Sequence, residues 1–519
     1  MNTTSWRRRF AALTFSIALT LPLLASSSNS AEQRTAHPDG TKLAQVVLPP
    51  LMPIPLHNAT PIAIPKPVNP LTPTPFKPSP TKLKGWVIQL PGNHPICTPA
   101  YYHGKLYVGG GYGSYDFYAF DATTGKLAWK YHTNDDGPTA AVVEDGCVAF
   151  NTESCTVFVL DAKTGKELWK EWLGDPLMSQ PAISKGKLFI AYPSGQRGHG
   201  TYGHALLCAD LHTGKHYWNK PISGDIISAP IIENDRVYLS CMDGNSYCFS
   251  ADNGALIWKK EGAATSAPVV HNGKLMVAER ATQGKDKEVQ EGIRRVDAFK
   301  GVARDAQIIA AAKAPYMQGA TNGTIGPQGG DATHVTGVNT AGTVRMKKWY
   351  QSMDSSVGFA SAPQGAQLDA AQSNLGISSV AGAWGYQGAR ATYHDGAVTN
   401  TQLTYVNCVD AESGKVKWRA EAKAPFITGQ TQVFSTPSLG KQNIYLCSGD
   451  GHLICMDQKT GGIKYMYSTG HAISFQPALA NGNIYIGTAT GELICINAND
   501  PDAEAWTAWG GNAQHNKVN

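Results

Sequence analysis

Apolar runs of strand length recur along the chain, each ended by a Gly, Asn or Asp turn, and every third run leads into one recurring cassette. It reads DAKTGKELW from Asp161 to Trp169, DATTGKLAW from Asp121 to Trp129 and DAESGKVKW from Asp410 to Trp418. Degenerate copies stand at Asp210 to Trp218, Asn253 to Trp258 and Asp457 to Tyr465. Each part has a physical task. The Asp hydrogen-bonds the backbone of the turn it opens, the Gly supplies the φ > 0 position of a tight hairpin, and the Lys leaves for solvent. The aromatic always stands four residues beyond the Gly, so every copy delivers one large ring to the same place, where it covers the gap between neighbouring sheets.

Upstream of each cassette the order is constant: a small or polar residue and a proline, then three strands separated by turns. With the strand that carries the aromatic, each unit holds four strands, the composition of a propeller blade. The opening prolines are Pro99, Pro138, Pro181, Pro230, Pro268, Pro363, Pro437 and Pro477, which predicts eight blades. The intervals after Pro268 and Pro363 are long, and the surplus reads as insertions at Gly301 to Val344 and Gln364 to Tyr393. The last unit has three strands and no cassette. A ring has to close, because an open stack leaves an unpaired edge and an uncovered apolar face. Gly85 to Leu90 is the missing strand, with Trp86 as the eighth docking aromatic, and Trp349 serves blade five after the insertion. The fold class is therefore all-β: an eight-bladed propeller closed by an N-terminal strand.

The cassette, with the Ser-Ala-Pro, Ser-Thr-Pro and Phe-Gln-Pro openings, resembles the PQQ-like repeat β-propellers over roughly Gly85 to Asn516. That family includes quinoprotein dehydrogenases and the outer-membrane assembly lipoprotein of the BamB type. The tail AWTAWGGNAQHN, Ala505 to Asn516, resembles the ending of exported propellers of planctomycete-type bacteria. The resemblance implies blades and not a chemistry.

The flanks complete the domain plan. Residues 1–31 read as a signal peptide, with Arg7, Arg8 and Arg9 before an apolar run from Phe10 to Ala25, too short for a membrane span. No Cys follows that run, so no lipid anchor is expected, and the mature protein is expected to be periplasmic or secreted. Residues 32–84 read as a proline-rich linker: twelve prolines between Leu48 and Pro80 favour extended polyproline II, a semi-rigid spacer, with docking to a partner domain as the other reading. The propeller takes residues 85–519. Loss of the leader removes three arginines, leaving 41 basic residues against 39 acidic ones, a balance that offers nothing to nucleic acid.

Cys208, Cys248, Cys408, Cys455 and Cys495 share one slot, six residues before the turn Gly or its equivalent, where Ala119 and Val159 also fall. Cysteine there acts as a small buried hydrophobe, too far from its counterparts to bridge. There is no CxxCH and no adjacent Cys pair, the motifs of haem and of several quinoprotein sites. His199, His204, His212 and His216 crowd blade three near Cys208, a metal site only if they converge in space.

The loops that lead from one blade to the next gather at one mouth of the channel, bringing Asp135, Asp136, Asp175, Asp225, Asp354 and His471. Such a ring suits a cation, or a cofactor held through one, because carboxylate oxygens suit Ca²⁺; alternatively each Asp caps its own turn. Trp384, Tyr386, Arg390 and Tyr393 in the second insertion are either binding anchors or part of blade six. Two functions follow. The first is a non-catalytic binding scaffold for envelope or extracellular proteins or polymers, with no cofactor. The second, implied by the resemblance, is a PQQ- and calcium-dependent oxidoreductase acting on an alcohol or sugar.

Overall fold

The computed structural model describes residues 49–76, 83–174, 179–194, 204–261, 264, 266–272, 274–277, 391–402, 405–413, 415–422, 434–473 and 475–517. Their strands form eight separate sheets. Blades one to four hold four strands each and blades six to eight five, while blade five contributes Val269–His271 and Lys274–Met276. Ring closure occurs as the sequence predicts: Glu492–Asn497 pairs antiparallel with Lys84–Gln89.

The cassette works in the same way from blade to blade. In blade two the Asp161 carboxylate accepts from the Thr164 amide at 2.7 Å and from its hydroxyl, and the Gly165 amide bonds the Asp161 carbonyl at 2.8 Å. Gly165 sits at φ 73°, and a Cβ there would lie 2.6 Å from the Trp129 ring of the preceding blade. The glycine is thus required twice, by its backbone angle and by the ring that lies on it. Trp86, Trp129, Trp169 and Trp418 each donate an indole N–H to a carbonyl of the next blade's turn, at 3.1, 3.2, 2.8 and 2.9 Å. The shared cysteine slot lies directly opposite these rings: Cys208 faces Trp218, Cys408 faces Trp418 and Cys495 faces Trp86. Only a small residue fits beneath an indole there. One residue after the slot the register of blades one to four, six and seven slips by a bulge, which adds twist at the cassette. All ten cysteines are buried free thiols, the five of the shared slot as their register implies and the five outside it as well.

Three segments depart from the sequence reading. The proline-rich stretch is edge strand where a spacer was expected. Leu51–Ile54 pairs parallel with the outer strand of blade six, Val416–Ala422, and Thr60–Pro61 parallel with that of blade seven, Ile463–Ser468. Thr74–Phe76 then pairs antiparallel with Lys84–Gln89 of blade eight. Prolines are tolerated because the strap is itself the edge: residues such as Ile62 and Leu71 supply the N–H groups, to the carbonyls of Ser468 and Gln89, and the prolines, which have no N–H, stand where no donor is needed. Second, blade six opens with Thr392–His394, inside the range assigned to the insertion, preceded by Ala391 and not by a proline. Pro363, Trp349, the first insertion and Trp384, Tyr386 and Arg390 lie outside the described residues.

Third, the C-terminal tail is a structural element. Trp506 bridges Leu479 of blade eight, and the carbonyls of Thr507, Ala513 and Gln514 accept from the amides of Tyr101, Ile183 and Ile232 in blades one, three and four. Asn516 bonds both backbone groups of Val270 in blade five, at 2.9 and 2.8 Å, and Gln514 reaches Glu144 of blade two. The tail therefore runs along the innermost strands of six blades, with Trp506 and Trp509 fully buried.

Candidate functional site

The mouth loops are built from short polar turns, and the structure describes four of the six predicted residues. The Asp135 carboxylate accepts from the Thr152 and Ser154 hydroxyls of the neighbouring turn and from the Asp136 amide at 3.1 Å. Asp136 offers its carbonyl to the Glu153 amide at 2.8 Å. Asp225 is entirely buried; its Oδ1 accepts from the Ile226 amide at 2.8 Å, and burial raises its pKa to about 7. His471 Nδ1 stands 3.6 Å from the Glu492 carboxylate. Asp175 and Asp354 lie outside the described residues.

These groups do not converge. Among the described residues no three His, Cys, Asp or Glu side chains are arranged to hold a metal ion. Three of the blade-three histidines separate as well, while His199 lies outside the described residues. His204 is buried at the start of its strand, and His216 pairs with Glu171 at 2.8 Å. His212 Nε2 meets Asp145 at 3.0 Å while its Nδ1 lies 3.3 Å from Cys147 Sγ. That Cys-His-Asp line has the order of a nucleophilic triad, yet burial and nearby carboxylates push the thiol up to about 11. A nucleophile needs the opposite shift. Ser448, Asp450 and His452 repeat the theme without the geometry, since serine and aspartate both address the same Nδ1, at 3.4 and 2.9 Å.

Sequence reasoning missed a second set of mouth residues, on the turns between the second and third strands of the blades. Glu492 is the most polarised of them. Burial alone would raise its pKa, but the nearby His471 imidazole and the Thr488 and Thr490 hydroxyls, which donate to the carboxylate, hold it at about 2. On blade one Tyr115 is exposed beside Asp135, Asp136 and Glu153; burial and those carboxylates raise its phenol. The repeat register was the available signal, because these turns recur at one place in every blade: Asn151 to Ser154, Ser448 to His452, Thr488 to Glu492. In this arrangement Asp135 and His471 are turned to local partners, and the tail lines the innermost strands of the ring.

No helix among the described residues is long and apolar enough to cross a membrane. None of the curated proteins matches the chain. Among solved structures, BamB from Moraxella catarrhalis is similar at 14% identity, over 79% of this chain and 95% of that one, with a TM-score of 0.46. The computationally designed Ika8 protein is 13% identical over 78% of this chain and 98% of its own, with a TM-score of 0.49. The quinohemoprotein alcohol dehydrogenase from Comamonas testosteroni is 13% identical over 81% and 77%, with a TM-score of 0.46. A family model described as outer membrane protein assembly factor BamB matches residues 81–196, 153–291 and 361–508, its first two placements overlapping as a sliding repeat allows. With the cassette geometry, that match over most of the sequence means that the chain belongs to the PQQ-like repeat propeller family which this model describes.

Proposed function

We propose that this chain is an exported, non-catalytic scaffold that presents the rim and mouth of its propeller to proteins or polymers of the cell envelope. The observation that carries the reading is that the described mouth groups are turned to separate local surroundings and not to one common point. Asp135 is saturated by Thr152, Ser154 and a backbone amide, Asp225 is buried, and His471 is turned onto Glu492. Those described residues do not fit a calcium-held quinone, which would need several carboxylate oxygens aimed at one point. A protein-binding role also agrees with the family description as an assembly factor.

The test is calorimetric titration of the purified mature protein with PQQ, with and without Ca²⁺, followed by dye-linked oxidation of alcohols and sugars. The expected result is no heat and no turnover. Calcium-dependent binding that disappears in Asp135→Ala would overturn the scaffold reading and make the mouth a cofactor site.

A further inference from the structure

The outer edges of the blades are unequally dressed. Blades six, seven and eight each carry a fifth strand from the segment Leu51 to Phe76, whereas the outer strands of blades one to four have no neighbour among the described residues. Solvent-facing edges are ordinarily protected by charge, lysine above all, and covered ones need no such protection. Here the bare outer strands do carry charge, with Lys130, Lys170 and Lys259 one residue beyond the aromatic, but they interleave it with large exposed apolar side chains. One residue before the docking aromatic, the covered blades six and seven carry Lys417 and Lys464. At that same position the bare blades two, three and four carry Leu168, Tyr217 and Ile257, exposed by 42, 49 and 44%. One residue earlier the contrast repeats. Ile463 of blade seven is half-buried and packs against the core cluster that includes strap residues, while Leu256 of blade four is 56% exposed.

From this we infer that the bare edges are docking sites for an extended, proline-interrupted apolar segment of another protein, added as a fifth strand. The occupant's chemistry is read from the chain itself, which fills the equivalent edges with such a segment. Its strands Leu51–Ile54 and Thr60–Pro61 lie parallel to the outer strands, with Ile54 and the following Ile62 buried and prolines spared a ladder bond. Blades two to four are consecutive, so one extended stretch can serve them as the strap serves blades six to eight. On blade three Pro221 removes one edge donor, so pairing there is interrupted and the anchoring falls to blades two and four. This inference deepens the scaffold reading and rests on it for the kind of partner.

The probe is a labelled synthetic peptide with the sequence Leu51 to Phe76, titrated into the full mature protein that retains its own strap. Saturable binding is expected. Hydrogen exchange should slow in Glu167–Trp172 and Leu256–Lys260 and stay unchanged in Val416–Ala422 and Ile463–Ser468. The double variant L168K/I257K, whose melting temperature serves as the check on folding, should lose tenfold or more in affinity. Absence of binding, binding untouched by the double variant, or protection confined to blades six and seven would overturn the inference. A dimer in sedimentation that buries Ile257 would also overturn it, assigning the edge to a second copy. Peptide binding together with calcium-dependent PQQ binding would sink the scaffold reading while leaving the docking edges standing.

Discussion

At the scale of the residue, the mouth is governed by hydrogen bonds that cancel charge locally. Glu492 shows how. Its carboxyl is mostly buried, which favours the protonated form, yet two threonine hydroxyls and His471 favour the anion more strongly and leave the pKa at about 2 against an ordinary 4.5. A depressed folded pKa means stability that is present above the unfolded value and lost as pH falls through the folded one. Two and a half units correspond to about 3 kcal/mol. Glu492→Gln should therefore lower unfolding free energy by about that amount at pH 7, and by progressively less as pH drops from 4.5 towards 2. Urea unfolding at several pH values checks it, and a penalty that does not change with pH would show that shape rather than charge sets the effect. The same local cancellation explains why the mouth was only half legible. Asp135 and His471 could be picked out as polar loop residues, but a turn whose Asp is satisfied by Thr152 and Ser154 looks in sequence like one whose Asp awaits a ligand.

At the scale of the element, the blades were legible because one cassette states its hairpin, its glycine and its ring within nine residues, and repetition fixes the register. The strap was not. Proline density is a local property shared by free linkers and by strands at a sheet edge, and only the partner strand distinguishes them. Phe76 is the strap residue whose burial is most easily tested. It is almost fully buried, and its ring lies where a Cβ on Gly85 would be, so the two residues fit as knob and hole. Phe76→Ala should cost about 3 to 5 kcal/mol by the usual measure of a large buried side chain. It should also speed amide exchange in Thr74–Phe76 and Lys84–Gln89 while leaving blades one to four as they were. Unaltered exchange in those two strands would mean that the strap merely rests on the ring.

At the scale of the whole molecule, a ring of repeats has a weakness that a packed two-layer domain lacks. Each blade touches only its two neighbours, so stability adds up pair by pair and one weak interface opens the circle. Closure by Lys84–Gln89 joins blade eight to the chain's start, but that is one more nearest-neighbour link. The tail differs, because one short segment from Trp506 to Asn516 bonds the inner strands of blades eight, one, two, three, four and five. It couples blades that do not otherwise meet. Ending the chain after Glu504 would strip the amides of Tyr101, Ile183 and Ile232 of their acceptors and remove two buried indoles, each a loss of several kcal/mol. The expected outcome is more than a lower midpoint: exchange should accelerate together in the inner strands of blades one, three, four and five. The denaturant transition should broaden or split, since the blades would then unfold as a chain of neighbours. A truncated protein with one transition of unchanged slope would show that the tail adds stability without adding cooperativity, and that the cassette rings alone make the propeller unfold as one.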